Sequence, residues 1–232
     1  MTTSDEYRQF RFTLPPGATE FLLVRHGESA PAREDRPFPL VDGRGDPPLA
    51  PDGERQAELV ADRLAAEPID AVYVTSLRRT HQTAAPYVAR AGLTPTVEPG
   101  LAEIRLGEWE GGLFRIRVAQ RHPLAMRMFE QRDWDSVPGG ERTAEFGTRV
   151  RTAIEKLASN HPDQRVAVFT HGGVVGQLIA LATGAASLAF ADADNGSISQ
   201  LVVLGDRWFV RTFNDTAHLH PRFSASAEPL GG

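Results

Sequence analysis

Apolar residues gather along this chain in short blocks of two kinds. Runs such as Phe21, Leu22, Leu23 and Val24, or Val166, Ala167, Val168 and Phe169, are apolar at consecutive positions, as in strands covered on both faces. Elsewhere apolar residues recur every three or four positions, as at Ala57, Val60, Ala61 and Leu64, the stripe of a helix lying on a core. The pattern predicts strands over 20–25, 70–75, 96–98 and 165–170, and helices over 51–66, 77–91, 114–132, 143–160 and 172–183. Gly92 stands where a left-handed residue would end the second of these helices. A hairpin is expected from 198–204 and 208–213 about Gly205 and Asp206. The stretch 30–48, rich in Pro, Arg, Asp and Gly, reads as a long surface loop that is functional rather than idle and forms part of a pocket wall.

Strands alternating with helices imply a three-layer α/β/α sandwich whose central sheet is mostly parallel with an antiparallel edge. Residues 1–19 are expected to form an N-terminal arm, 20–219 a single domain and 220–232 a mobile tail. The chain's 232 residues suffice for one such domain with a substantial core. A formal net charge of -5 argues against a broadly basic face for nucleic acid, yet leaves room for a local anion pocket. With no cysteine, disulfides and cysteine-ligated metal centres are excluded. The first residues are polar, and the apolar stretch 172–191 is broken by Gln177, Thr183, Gly184 and Ser187. A soluble, cytoplasmic protein is expected, with neither nucleic acid nor membrane as a partner. The exposed hairpin edge is compatible with a homodimer.

Four places repeat one arrangement, in which a strand or turn ends and groups suited to anions appear. They are Arg25 with His26, Arg78 with Arg79, Glu103, and His171 with Gly172 and Gly173. Ligands in open α/β sheets bind at strand ends, where loops converge. Neutral imidazole is a nucleophile near pH 7, and guanidinium grips an anion with two prongs. A helix beginning near Gly172 would aim free N–H groups at the same crevice. An arginine in the first turn of a helix opposes the helix dipole, so Arg78 and Arg79 break a local rule in the way functional residues often do.

These segments resemble the histidine phosphatase superfamily, in its phosphoglycerate mutase-like branch with an Arg-His-Gly signature. The resemblance runs from about residue 20 to 219. It is carried by Leu23 to Ser29 around Arg25, His26 and Gly27, by Asp46 to Leu49 with Gly53 and Gln56, and by Thr75 to Ala84 around Arg79. It continues through Glu103, Gly107, Trp109 and Gly111, then Pro138 to Glu141, Thr170 to Gly173, and Asn195 with Gly196. What it implies is a phosphoglycerate mutase-like fold and a phosphatase that acts on a small phosphorylated substrate through a phosphohistidine, with no metal or other cofactor. His26 would be the nucleophile, and Arg25, Arg79 and His171 would hold the phosphate oxygens. Glu103 would protonate the leaving oxygen and then activate water. Gly172, Glu28 and Ser29 would flank the phosphate pocket, with the last two orienting it. Cationic His171 would add a charge-assisted bond. Arg78 would lie at the surface, His81, His122 and His161 would be solvated, and His218 would serve structure. Trp109 and Glu110 would pack the loop of Glu103.

The chain departs from the family pattern after Ser29, where an expected asparagine and a downstream arginine are missing and Arg33, Arg36 and Arg44 stand at other spacings. Two other activities fit the motifs. Mutase-type phosphoryl transfer uses the same core, but the compact interval 111–138 favours hydrolysis. A catalytically silent phospholigand binder would have lost the histidine or an arginine, and all are present.

Overall fold

The computed structural model describes residues 9–191 and 193–220. Its core is a six-stranded sheet in the order β5-β4-β6-β1-β7-β8. Strands β1 (Thr19–Arg25), β4 (Ala71–Val74), β5 (Thr96–Val97) and β6 (Arg165–Thr170) run parallel. Strands β7 (Ile198–Leu204) and β8 (Arg207–Asp215) add an antiparallel edge. Separately, β2 (Leu40–Val41) pairs with β3 (Arg44–Gly45).

Period-two side-chain direction explains why the central strands are apolar throughout. Phe21 and Leu23 of β1 face one side of the sheet, with Val166, Val168, Leu201 and Val203. Leu22 and Val24 face the other, with Val72, Val74, Ala167 and Phe169. The first side is covered by α5 (Thr143–Asn160) through Phe146, Val150, Ile154 and Leu157, and by α6 (Gly172–Thr183) through Val174, Leu178 and Ile179. The second is covered by α1 (Pro51–Leu64) and α2 (Arg78–Ala91) through Val60, Ala61, Leu64, Ala84 and Tyr87. Full burial of each such Leu, Val or Phe contributes about 1.5–3 kcal/mol relative to exposure. Gly92 ends α2 with φ 67°, the expected left-handed cap. No helix among the described residues is long and apolar enough to cross a membrane.

Two stretches depart from expectation. The single helix expected over 114–132 is two, α3 (Leu113–Ala119) and α4 (Pro123–Gln131). Pro123 lacks an N–H and drives His122 out of helical conformation, so it starts a helix rather than continuing one. The His122 ring accepts the Leu124 N–H, sealing the new start. The loop 30–48 is not simply a surface loop. Asp42 and Gly43 both take positive φ, making the tight turn of the β2–β3 hairpin. That hairpin delivers Arg44 and Asp46 into buried positions. The expected tail 220–232 lies almost wholly outside the described residues.

Candidate active site

The parallel strands all end on one side of the sheet, and every candidate residue is carried there. Arg25 pairs with Thr170 across β1 and β6, so the next residues, His26 and His171, leave neighbouring strands together. Their ring centroids lie 5.3 Å apart with planes at 64°. Thr75, just past β4, holds His171 Nε2 at 2.9 Å through its hydroxyl and leads into α2, whose second residue is Arg79. The turn after β5 carries Glu103.

His26 is fixed by bonds at both nitrogens. Nδ1 is 2.7 Å from the Gly27 carbonyl, which can only accept, so Nδ1 bears the proton. Nε2 therefore presents its lone pair, and Arg79 Nε donates to it at 3.0 Å. The loop behind the ring is equally constrained: Asn195 Nδ2 donates to the His26 carbonyl at 2.9 Å, and Gly27 N–H donates to Thr83 Oγ1 at 3.0 Å. Gly27 has to be glycine, because a Cβ there would stand 2.4 Å from the Gly53 carbonyl oxygen at the start of α1.

Both imidazoles are buried among cations. Burial first, then Arg79 and Arg25, hold the His26 pKa well below its ordinary range. Burial, then Arg79 and His26, do the same for His171. His171 is therefore held toward its neutral form by its surroundings in the protein. Its Nδ1 is buried without a hydrogen-bond partner among the described residues. Burial pulls Arg79 down to about 10, against the opposing pull of Glu103, and it stays charged at neutral pH. Its Nη1 donates to the Gly45 carbonyl, and Arg25 Nη1 donates to that of Ala193. Both guanidiniums are thus anchored by backbone while lining the cavity.

Glu103 is positioned from two directions. Its Oε1 accepts the Ile104 N–H at 3.0 Å, and Oε2 faces the Gly173 N–H of the first turn of α6 at 3.3 Å. Its carbonyl accepts from Arg44 Nε and, at 3.4 Å, from Arg149 Nη2. Arg149 also grips both oxygens of Glu141 at 2.8 Å and donates to the carbonyls of Gly100 and Ala102. The Pro138–Glu141 motif thereby acts beneath the Glu103 turn rather than in the cavity.

His26, Arg25, Arg79, Glu103, Arg44 and Arg115 line one cavity of about 230 Å³. Buried His171 lies behind His26, and Gly172 backs the Arg25 side chain, with no space for a Cβ beyond 3.2 Å from Arg25 Nε. Glu28 and Ser29 line a neighbouring opening instead, and the Ser29 hydroxyl accepts from Arg115 Nη2 at 2.6 Å. Arg78 is half exposed and paired with Asp46 at 2.7 Å. His81 is exposed, as expected, although Nε2 meets the Thr75 carbonyl at 2.8 Å. His122 and His161 are only partly solvated: the first packs on Trp109, and the second bonds Tyr73 and Gln164. His218 bonds the Gly196 carbonyl at 2.9 Å, remote from the cavity lining. Trp109 is buried, and each Glu110 oxygen accepts a backbone N–H, from Leu106 or Gly45.

Sequence reasoning gave no site role to Arg44, Arg115 or Arg149. Asp42-Gly43 was a legible signal for the first, since it predicts a hairpin that turns Arg44 inward. For the other two the sequence offers only arginines on helices.

The profile of the histidine phosphatase superfamily (branch 1) matches residues 21–216. The Arabidopsis thaliana metal-independent phosphoserine phosphatase is 31% identical over 225 residues, covering 93% of this chain and 91% of its own. The Arabidopsis phosphoglycerate mutase-like protein 4 is 31% identical over 205 residues, covering 86% of each chain. Among solved structures, Bacillus stearothermophilus YhfR superposes with a TM-score of 0.73 at 27% identity, covering 87% of this chain and all (100%) of its own. The mycobacterial glucosyl-3-phosphoglycerate phosphatase gives a TM-score of 0.69 at 25% identity, covering 86% and 100% respectively. The chain belongs to branch 1 of the histidine phosphatase superfamily, and its phosphatase relatives support phosphatase activity.

Proposed function

We propose that this protein hydrolyses small phosphomonoesters through a covalent phosphohistidine on His26. The observation that carries the proposal is the fixed tautomer of that ring. Nδ1–H is committed to the Gly27 carbonyl, so the Nε2 lone pair faces the cavity between Arg79 and Arg25. Burial and these arginines keep the ring neutral, which a nucleophile must be.

Phosphoryl transfer spreads charge over three equatorial oxygens, so positioned cations do most of the catalytic work. Arg25 and Arg79 supply it, and Arg79 exchanges its bond to Nε2 for one to phosphate as substrate enters. The bound dianion also raises the proton affinity of His171, whose unpartnered Nδ1 lies in the same buried cluster. As Nε2 bonds to phosphorus, the ester P–O bond breaks and Glu103 delivers a proton to the departing oxygen. Water then attacks phosphohistidine, passing its proton to Glu103 and releasing inorganic phosphate with His26 neutral again. Each step uses a residue already held by backbone bonds, so little reorganisation is required.

Mutase-type transfer would follow the same first step, and relatives named as mutases exist. Hydrolysis is favoured because the interval between Glu103 and Glu141 is compact, holding one 3-10 turn (Gly107–Trp109) and the short helices α3 and α4. The test is p-nitrophenyl phosphate turnover in the presence of a chelator, with phosphoglycerates scored for free phosphate and for isomerised product. Chelator-resistant phosphate release supports the proposal. Isomerisation without release, or no turnover, overturns it.

A further inference from the structure

Away from His26 the cavity changes character. Part of its wall is apolar: Phe38, Ile104, Leu106, Trp109, Phe114 and Trp134. Phe114 is wedged between two indoles, 6.2 Å from Trp109 and 6.0 Å from Trp134, in tilted contacts that hold its ring in place. Phe38, from the 30–48 stretch, adds another ring to the lining. Its N–H donates to the Gly111 carbonyl at 2.9 Å, and its ring lies 5.7 Å from the Arg115 guanidinium carbon.

The polar groups among these rings are partly engaged by the protein, although each arginine keeps further N–H donors and Trp134 Nε1 has no partner among the described residues. Arg44 donates to the carbonyls of Glu103 and Asp42. Arg115 donates to Ser29 Oγ and the Ala30 carbonyl. Both oxygens of Glu110 accept backbone N–H groups, and burial raises its pKa. A hydroxyl, ammonium or carboxylate laid against Phe38, Ile104, Leu106 and Phe114 would give up water and meet carbon. A hydrocarbon leaving group loses nothing of that kind and removes the wall from water.

We propose that this wall selects phosphomonoesters of apolar alcohols, with an aromatic ring or short hydrocarbon chain, over phosphates of sugars, glycerate and amino acids. The inference rests on the phosphatase reading above and specifies its substrate class. Phe38, from the 30–48 stretch, and Phe114, from α3, are then specificity determinants.

The test compares alkyl phosphates, so that intrinsic leaving-group reactivity stays similar: ethyl, 2-phenylethyl and glycerol phosphate, with phosphoserine. Each methylene moved from water to the wall is worth about fourfold in kcat/KM. We expect 2-phenylethyl phosphate to exceed ethyl phosphate by at least about tenfold, with glycerol phosphate and phosphoserine no better than ethyl phosphate. Phe38→Ala and Phe114→Ala should each shrink the phenylethyl-to-ethyl ratio at least about fivefold, a ratio that partial unfolding leaves unmoved. Glycerol phosphate or phosphoserine matching 2-phenylethyl phosphate, or a ratio unchanged in both variants, overturns the inference while leaving the phosphatase standing. No turnover of any ester, p-nitrophenyl phosphate included, overturns both.

Discussion

Arg79 Nε donates a 3.0 Å hydrogen bond to His26 Nε2, so a guanidinium rests on the lone pair proposed as the nucleophile. The contact explains why an arginine occupies the first turn of α2, where the helix dipole disfavours it. It lowers the basicity of His26 and reserves the place that a phosphate oxygen would take.

Removing that guanidinium should cost more than a charge. Arg79→Ala is expected to reduce kcat/KM about 10²–10³-fold, the usual loss when a donor to a developing anion is deleted. Arg79→Lys should recover little, because a single ammonium cannot bond phosphate and the Gly45 carbonyl in the same fork. Steady-state kinetics on p-nitrophenyl phosphate decide it, and near-complete rescue by lysine would contradict the assigned role.

Gly173→Ala separates catalysis from stability. A Cβ at 173 would stand 2.4 Å from Glu103 Oε1, so the carboxylate must move. Alanine is the better helix former by about 1 kcal/mol, and residue 173 is in the first turn of α6. The variant should melt no lower than wild type yet lose at least about tenfold in kcat on alkyl phosphates, with smaller losses on p-nitrophenyl phosphate, whose leaving group needs no proton. Equal losses on both esters would argue against Glu103 as the acid.

The pair beneath Glu103 predicts a mixed phenotype. Burial alone would raise the Glu141 pKa, but bonding to Arg149 outweighs it and the carboxyl lies below its ordinary value. Glu141→Ala leaves Arg149 without its carboxylate and frees the Glu103 turn, so stability should fall by about 2–3 kcal/mol. Because the turn then wanders, kcat should fall more than KM rises. Urea denaturation alongside kinetics checks both, and a stability loss with unchanged kcat would confine Glu141 to a structural part.

Stability should also weaken in mild acid. His26 and His171 are held neutral in the folded state, whereas in the unfolded chain they take up protons near their ordinary value of about 6.5. Below that pH the unfolded state binds more protons than the native one, so acidification favours unfolding. Between pH 7.5 and 5.5 each histidine should remove about 1.4 kcal/mol, provided its folded pKa lies below that window. His26→Asn should abolish its share, and an unchanged pH slope in that variant would contradict the buried neutral ring.

How much of this was legible in the sequence follows from how local the cause is. Strands β1 and β6 lie between helices on both faces, so their apolar runs declare themselves, and β6, α5 and α6 begin and end where the pattern predicts. Arg25, His26, Arg79, Glu103 and His171 were readable because each sits where a strand or turn ends and a family motif marks it. Arg115 and Arg149 were not. Each lies on a helix, and its partners, Ser29 and Ala30 or Gly100 to Glu103, are remote in sequence and brought close only by packing. The break at Pro123 was readable but was outweighed by helical periodicity on both sides. The burial that lowers the His171 pKa is invisible along the chain, because it comes from packing.

The most direct test of the account is to quench the enzyme milliseconds after mixing with a radiolabelled phosphomonoester and to locate the label by alkaline digestion and mass spectrometry. The account predicts an acid-labile, alkali-stable phosphoryl group on residue 26, absent from His26→Ala. Label elsewhere, or full turnover by purified His26→Ala, would contradict it.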